Sequence, residues 1–207
     1  MAPLSLLCGS LVLAPLLSFV PAPAHIVSAG APAGTWRIDP DRSMIQFTVT
    51  KLGFADVHGR FLESSGTVRH DPVEPANSYV RWSVRVASVR TDATNRDRSL
   101  LAPEYFDAAQ HPEMVFQSTG VRSVGEGRLE VTGTITLKGQ TRPLTLLAQP
   151  VQDGFETWFE LDRYDFGIVG GRVMSRLIGR TIKVHLVAIA AREDGRQPRP
   201  ALRPNTP

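Results

Sequence analysis

The sequence predicts an all-β fold, one antiparallel sheet closed or nearly closed on itself, and three observations carry that prediction. From residue 35 to residue 191 apolar residues alternate with polar ones in run after run, the period of a strand with one dry and one wet face. Glycine-containing turns separate the runs at short spacing. The 207 residues, 42% hydrophobic and 21% charged, have the ordinary composition of one globular domain with one substantial core.

In chain order, residues 1–31 stand apart from that pattern. Residues 4–20 are nearly all apolar, and Pro21-Ala22-Pro23-Ala24 and Ser28-Ala29-Gly30-Ala31 supply the small residues a signal peptidase accepts, so this stretch is expected to be a leader removed on export. Pro15 and Cys8 interrupt the run before it reaches the roughly 20 apolar residues of a spanning helix, which favours a leader over an anchor. No Lys or Arg precedes it, a departure from the usual leader. Cys8 is the single cysteine. The chain without its leader would use neither disulfide nor thiol chemistry, although the expected location, periplasmic or secreted, is oxidising.

The domain is expected over residues 34–191. Ile45, Phe47 and Val49 alternate with Gln46, Thr48 and Thr50; Val80, Trp82, Val84 and Val86 alternate with Arg81, Ser83 and Arg85. Leu129, Val131, Ile135 and Leu137 form a third run, with Gly133 in place of an apolar residue midway. Leu144, Leu146 and Ala148 continue, then Phe155, Phe159 and Leu161, then Ile182, Val184, Leu186 and Ala188. Gly125-Glu126-Gly127, Lys138-Gly139-Gln140 and Asp153-Gly154 supply the permissive backbone of hairpin turns. One interruption falls at residues 94–107. Thr94 with Asp97 resembles an N-cap pair ahead of Leu100 and Leu101, and Pro103 opens a second short turn, Glu104-Tyr105-Phe106, so a pair of small helices is expected between strands. Residues 192–207, with four prolines and four arginines, read as a disordered tail.

Charge and motif content exclude several functions. The 23 basic residues against 20 acidic ones give a net charge of +3, and 20 of the basic residues are arginines spread singly along the chain. Without a basic cluster carrying interleaved aromatics, no nucleic-acid partner is expected. There is no Gly-x-Ser-x-Gly elbow and no His-Glu-x-x-His helix, and His58, His70, His111 and His185 fall singly at strand ends or loops. No catalytic residue, metal site or cofactor is therefore assigned.

Several ordered pieces resemble the YceI-like family. The central one runs through Ser88-Val89-Arg90-Thr91-Asp92, Asn95-Arg96-Asp97, Leu100, Glu104-Tyr105-Phe106-Asp107 and His111-Pro112-Glu113-Met114-Val115-Phe116-Gln117-Ser118. Trp36-Arg37-Ile38-Asp39-Pro40, Leu52-Gly53-Phe54 with Gly59-Arg60-Phe61, the hairpin from Val131 to Pro143, and Arg163-Tyr164-Asp165-Phe166-Gly167-Ile168 follow the same order. The resemblance implies a lipocalin-like, elongated eight-stranded antiparallel β-barrel that holds an isoprenoid (a polyprenyl phosphate, an isoprenoid quinone) or a similar long-chain lipid inside. It also implies a lipid ligand as partner, transient membrane contact, and a homodimer as one possible assembly.

Candidate ligand-lining residues on that reading are Phe47, Phe54, Phe61, Phe106, Phe116, Phe159, Phe166 and Ile168, with Leu100 and Tyr105 from the inserted helices. Met174 and Leu177 belong to a loop after Gly170-Gly171 and suit a variable chain. For any of the apolar candidates, ordinary core packing is the competing reading. Arg96 is the candidate for a lipid head group, against a purely structural role in which it and Asp97 fix the insert. Arg42, Lys51 and Arg180 add fixed positive charge where the family commonly places histidines or an acid, and would favour an acidic head group if any of them reaches the barrel mouth. Two other functions stay open: a periplasmic scaffold whose barrel is filled by its own side chains, and a hydrolase or isomerase built from residues far apart in sequence. Interior volume separates them, since carriage needs a long apolar tunnel.

Overall fold

The computed structural model describes residues 33–171 and 174–192. The expected leader and the tail beyond Arg192 lie outside the described residues. The strand segments are β1 (Gly34–Ile38), β2 (Met44–Lys51), β3 (Ala55–Phe61), β4 (Ser64–His70), β5 (Tyr79–Arg85), β6 (Val89–Arg90), β7 (Glu113–Ser123), β8 (Leu129–Leu137), β9 (Gln140–Val151), β10 (Gly154–Asp162) and β11 (Ile178–Arg192). They join in one sheet that closes through β1 and β11, every pairing antiparallel. Three positions in the ring are filled by two consecutive segments each: β1 with β2, β3 with β4, and β5 with β6. The result is a closed, eight-stranded up-and-down barrel, as the sequence predicts.

The breaks within strands are corners held by hydroxyls. Between β1 and β2 the chain turns at Pro40, and Ser43 Oγ fills the missing rung by donating to Ile189 O and accepting from Ile189 N–H. Between β3 and β4 the buried Ser88 Oγ accepts from the N–H groups of Leu62 and Glu63 and donates to Arg85 O at 2.7 Å. Each corner lets one strand serve two parts of a strongly curved wall without leaving backbone groups unsatisfied.

The inserted segment is half helix. α1 (Thr94–Leu100) forms, but its N-cap is Ala93 and Thr94 is the first helical residue, which corrects the expected Thr94 cap. Asp97 reaches back instead, accepting from both the N–H and the hydroxyl of Thr91. The second expected helix is a series of turns: Pro103 offers no N–H, and Asp107 lies at φ 51. A second short helix, α2 (Met174–Leu177), precedes β11. Val86, expected to continue the β5 alternation, is buried in a 3-10 turn, Val86–Ser88.

Tight hairpins connect the strands. Lys138 and Gly139, both at positive φ, make the two-residue turn between β8 and β9. The β2–β3 loop is one residue longer, Leu52-Gly53-Phe54, with Lys51 paired to Ala55, and it too has two residues at positive φ, Leu52 (φ 58) and Gly53 (φ 79). A leucine in that region costs roughly 1–2 kcal/mol, because its Cβ crowds the following carbonyl. The ladder between β9 and β10 covers Gly154, Phe155 and Glu156 against Val151, Pro150 and Gln149. Past it, the 3-10 turn Arg163–Phe166 packs against β9, β10 and β11.

Candidate functional site

Alternation places one set of side chains inside the barrel, and that inside is hollow. Its cavity measures about 310 Å³, within the range of small-molecule sites, and its lining is almost wholly apolar. Inward residues such as Val49, Phe116, Ile135 and Phe159 are only half-buried although they face away from the outer solvent. Side chains that plugged the lumen would have buried them fully. Two glycines make room for rings: a Cβ on Gly59 would lie 2.2 Å from the Phe47 ring, and one on Gly133 would lie 2.8 Å from the Phe116 ring. The gap in the alternation at Gly133 is therefore the seat of an aromatic side chain.

Nine of the thirteen residues expected at the site line this cavity: Phe47, Phe61, Phe116 and Phe159 from the wall, and Arg96, Leu100, Tyr105, Phe106 and Ile168 from the segments over one end. Phe47, Phe61 and Phe106 form a chain of rings, with centroids 5.5 Å and 5.9 Å apart. Four do not. Phe54 sits in the β2–β3 loop, where strand alternation does not set direction, and is 81% exposed. Phe166 is 2% exposed and packs in the core beside the cavity, because the Arg163–Phe166 turn aims it there. Leu177 belongs to α2 and lies off the lining, and the side chain of Met174 falls outside the described residues.

Polar lining residues gather toward the ends. At the end covered by α1 they are Lys51, Thr91, Arg96, Ser99 and Arg163. Arg163, 3% exposed, is a hub: its guanidinium donates to the carbonyls of Gly179 (2.9 Å), Ile168 (2.7 Å), Val169 (3.0 Å) and Ile178 (3.0 Å) and to the Tyr164 hydroxyl (3.0 Å). It ties the segment after β10 to the start of β11. Arg96 donates through Nε and Nη2 to Thr91, which leaves Nη1 without a partner among the described residues. The ammonium of Lys51 also has no partner among them. Lys51 continues the alternation Ile45, Phe47, Val49, and that signal could have placed it inside from sequence. Arg42 and Arg180 reach no mouth; they pair on the surface with Asp153 (2.8 Å) and Asp162 (2.5 Å).

At the opposite end Arg69, His70, Ser78 and Glu156 border the cavity. His70 is buried with its ring 5.9 Å from that of Phe155, and burial holds its pKa below 6.5 against the opposing pull of Asp71. Among the described residues no three His, Cys, Asp or Glu side chains converge as a metal would require.

The YceI-like domain model matches residues 36–190, the whole barrel. The chain belongs to the YceI-like family. Among curated relatives, a UPF0312 protein of Pseudomonas savastanoi pv. phaseolicola is 32% identical over 158 residues, covering 70% of this chain and 82% of that protein. Protein YceI of Escherichia coli is 34% identical over 134 residues, 63% of this chain and 70% of that one. Among solved structures, Burkholderia cenocepacia BcnA superposes with a TM-score of 0.69 at 21% identity, covering 74% of this chain and 99% of that one. A polyisoprenoid-binding domain from Saccharophagus degradans superposes at 0.60 with 18% identity, covering 76% of this chain and 98% of that one. At these identities the two structures establish the shared YceI-like barrel. The family assignment rests on the domain match and the sequence relatives.

Proposed function

We propose that this YceI-like barrel is an exported carrier or store for an isoprenoid or a similar long-chain amphiphile, held along the lumen with its polar end toward Lys51 and Arg96. The observation that carries the reading is the hollow, apolar cavity running between the two ends of a closed barrel. Each methylene moved from water into such a space contributes about 0.8 kcal/mol. A long chain thereby offsets the several kcal/mol lost on immobilisation, roughly the lower part of the estimated range. The polyisoprenoid-binding domain of Saccharophagus degradans, which shares the fold, supports a lipid as occupant. Binding and release need no chemical step, so no catalytic group enters the reading. The small residues after the apolar run at residues 4–20 support export to the periplasm or beyond.

The experiment is native mass spectrometry of freshly purified protein beside the variant Ile135→Trp, which puts an indole into the lumen. The protein should carry a lipid-sized adduct or accept added polyprenyl phosphate, and the variant should lose at least tenfold in affinity while its thermal midpoint holds or rises. Equal affinity in both would place the lipid elsewhere. An adduct-free protein that also refuses polyprenyl phosphate and isoprenoid quinone would end the carrier reading.

A further inference from the structure

The β2–β3 turn spends backbone strain on an apolar surface that the fold does not use. Leu52 occupies a left-handed position (φ 58) in the three-residue loop Leu52–Phe54, where Asn or Asp is the ordinary choice, and is 49% exposed; Phe54, at the end of the same loop, is 81% exposed. Neither side chain belongs to the core or the cavity lining. The tip is nevertheless held in place, since the Leu52 N–H donates to Leu177 O at 2.6 Å. Lys51, immediately before it, lines the cavity and carries an ammonium with no partner among the described residues. Val169 (46% exposed) and Tyr164 (38% exposed) lie at the same end, tied through Arg163 to the strand that pairs with Lys51.

We infer that Leu52 and Phe54 form a docking tip for a phospholipid bilayer, which seats the Lys51 and Arg96 end of the cavity against the membrane that supplies its ligand. The inference rests on the lipid-binding reading above. Size favours a bilayer over another protein: a stable protein interface buries about 800 Å² on each side, and a hairpin tip of two side chains offers only a part of that. A bilayer asks less, because a few inserted apolar side chains beside a cation are enough for reversible attachment. The position also fits the task, since a tip at the cavity end lets a hydrocarbon chain pass from bilayer to lumen with little contact with water.

The test compares the chain from residue 33 onward, which contains the whole closed barrel, with Leu52→Asn and Phe54→Ser. Two readouts are flotation on phosphatidylethanolamine–phosphatidylglycerol vesicles and uptake of a fluorescent polyprenyl phosphate, offered either in those vesicles or in detergent. Each variant should partition onto vesicles about tenfold less and take up the vesicle-borne probe correspondingly more slowly, with uptake from detergent unchanged. Leu52→Asn should leave the thermal midpoint unchanged or raised, because Asn tolerates the left-handed region; a purely structural leucine would lower it. Variants that float like the parent overturn the docking tip, as does a parent dimer that Phe54→Ser dissolves while vesicle binding is absent throughout. No uptake by the parent from either source sinks the carrier reading instead, and flotation reports on docking separately.

Discussion

The end of the barrel under α1 and the opposite end are made from the same eight strand positions, yet they are closed by different means. Under α1, closure depends on one buried cation that satisfies carbonyls from two segments, on a helix held by Thr91 and Asp97, and on a hairpin tip that accepts a strained leucine. At the opposite end local turns do more of the closing: Asp71 accepts from the N–H groups of Val73 and Glu74, and Gln152 and Asp153, one residue earlier than the expected Asp153-Gly154, turn β9 into β10, with Ser43 bridging to Ile189 and Arg42 to Asp153. An end whose turns are locally satisfied can be read residue by residue. An end that relies more on contacts between distant segments cannot, and it is there that Lys51 and Arg96 line the cavity and that Leu52 and Phe54 stand exposed, while the opposite end exposes Val73.

The largest effect expected from breaking this contrast is that of Arg163→Met. The methionine keeps the packing volume but leaves several carbonyls without their donor, so the loss should be about 3 kcal/mol or more. For a domain of this size that lowers the thermal midpoint by roughly 6–12 °C. Unfolding followed by circular dichroism checks it, and a drop of a degree or so would show that the segments around Arg163 hold together without it.

Acid should separate the ends by degree. Because the folded-state pKa of His70 lies below 6.5, the unfolded chain takes up that proton first, and stability falls as pH drops from above 6.5 toward the lowered value. Asp162 at the α1 end behaves differently. The Tyr164 N–H and Arg180 hold its carboxyl below 3.8, so its contribution is present above 3.8 and is lost only as pH falls through the lowered value. Mild acid should therefore loosen the His70 end first. Urea unfolding between about pH 7.5 and about pH 5 should show a slope that His70→Phe flattens; an unchanged slope would move the effect to another group.

The smallest effect belongs to the surface. The Arg42–Asp153 pair is half exposed on both sides, and Arg42→Gln should cost less than about 1 kcal/mol, with no change in lipid affinity. A measurable loss of lipid binding would bring Arg42 back toward the cavity.

Much of the wall was legible. The runs containing Phe47, Trp82, Val131, Phe159 and Val184 lie in strands and face the lumen, because a period of two needs no tertiary information to sort faces. The misplacements lie where the period lapses. Phe54 sits in a hairpin loop, Phe166 sits in a 3-10 turn, Leu177 sits in a short helix, and in each the direction of the side chain depends on packing. Thr94 was expected to cap α1, and the cap is Ala93 because Asp97 binds Thr91 from within the helix.

Sequence alone determined the antiparallel sheet, its turns and the sorting of apolar residues to one face, all of which follow from local periodicity and backbone preference. Only the tertiary structure decided that the sheet closes through β1 and β11, that its interior stays open, and that Lys51 and Arg96 share one end of it. Those are properties of distance around a curved wall: whether side chains fill a lumen depends on its width and stagger, and neither is written in any single strand.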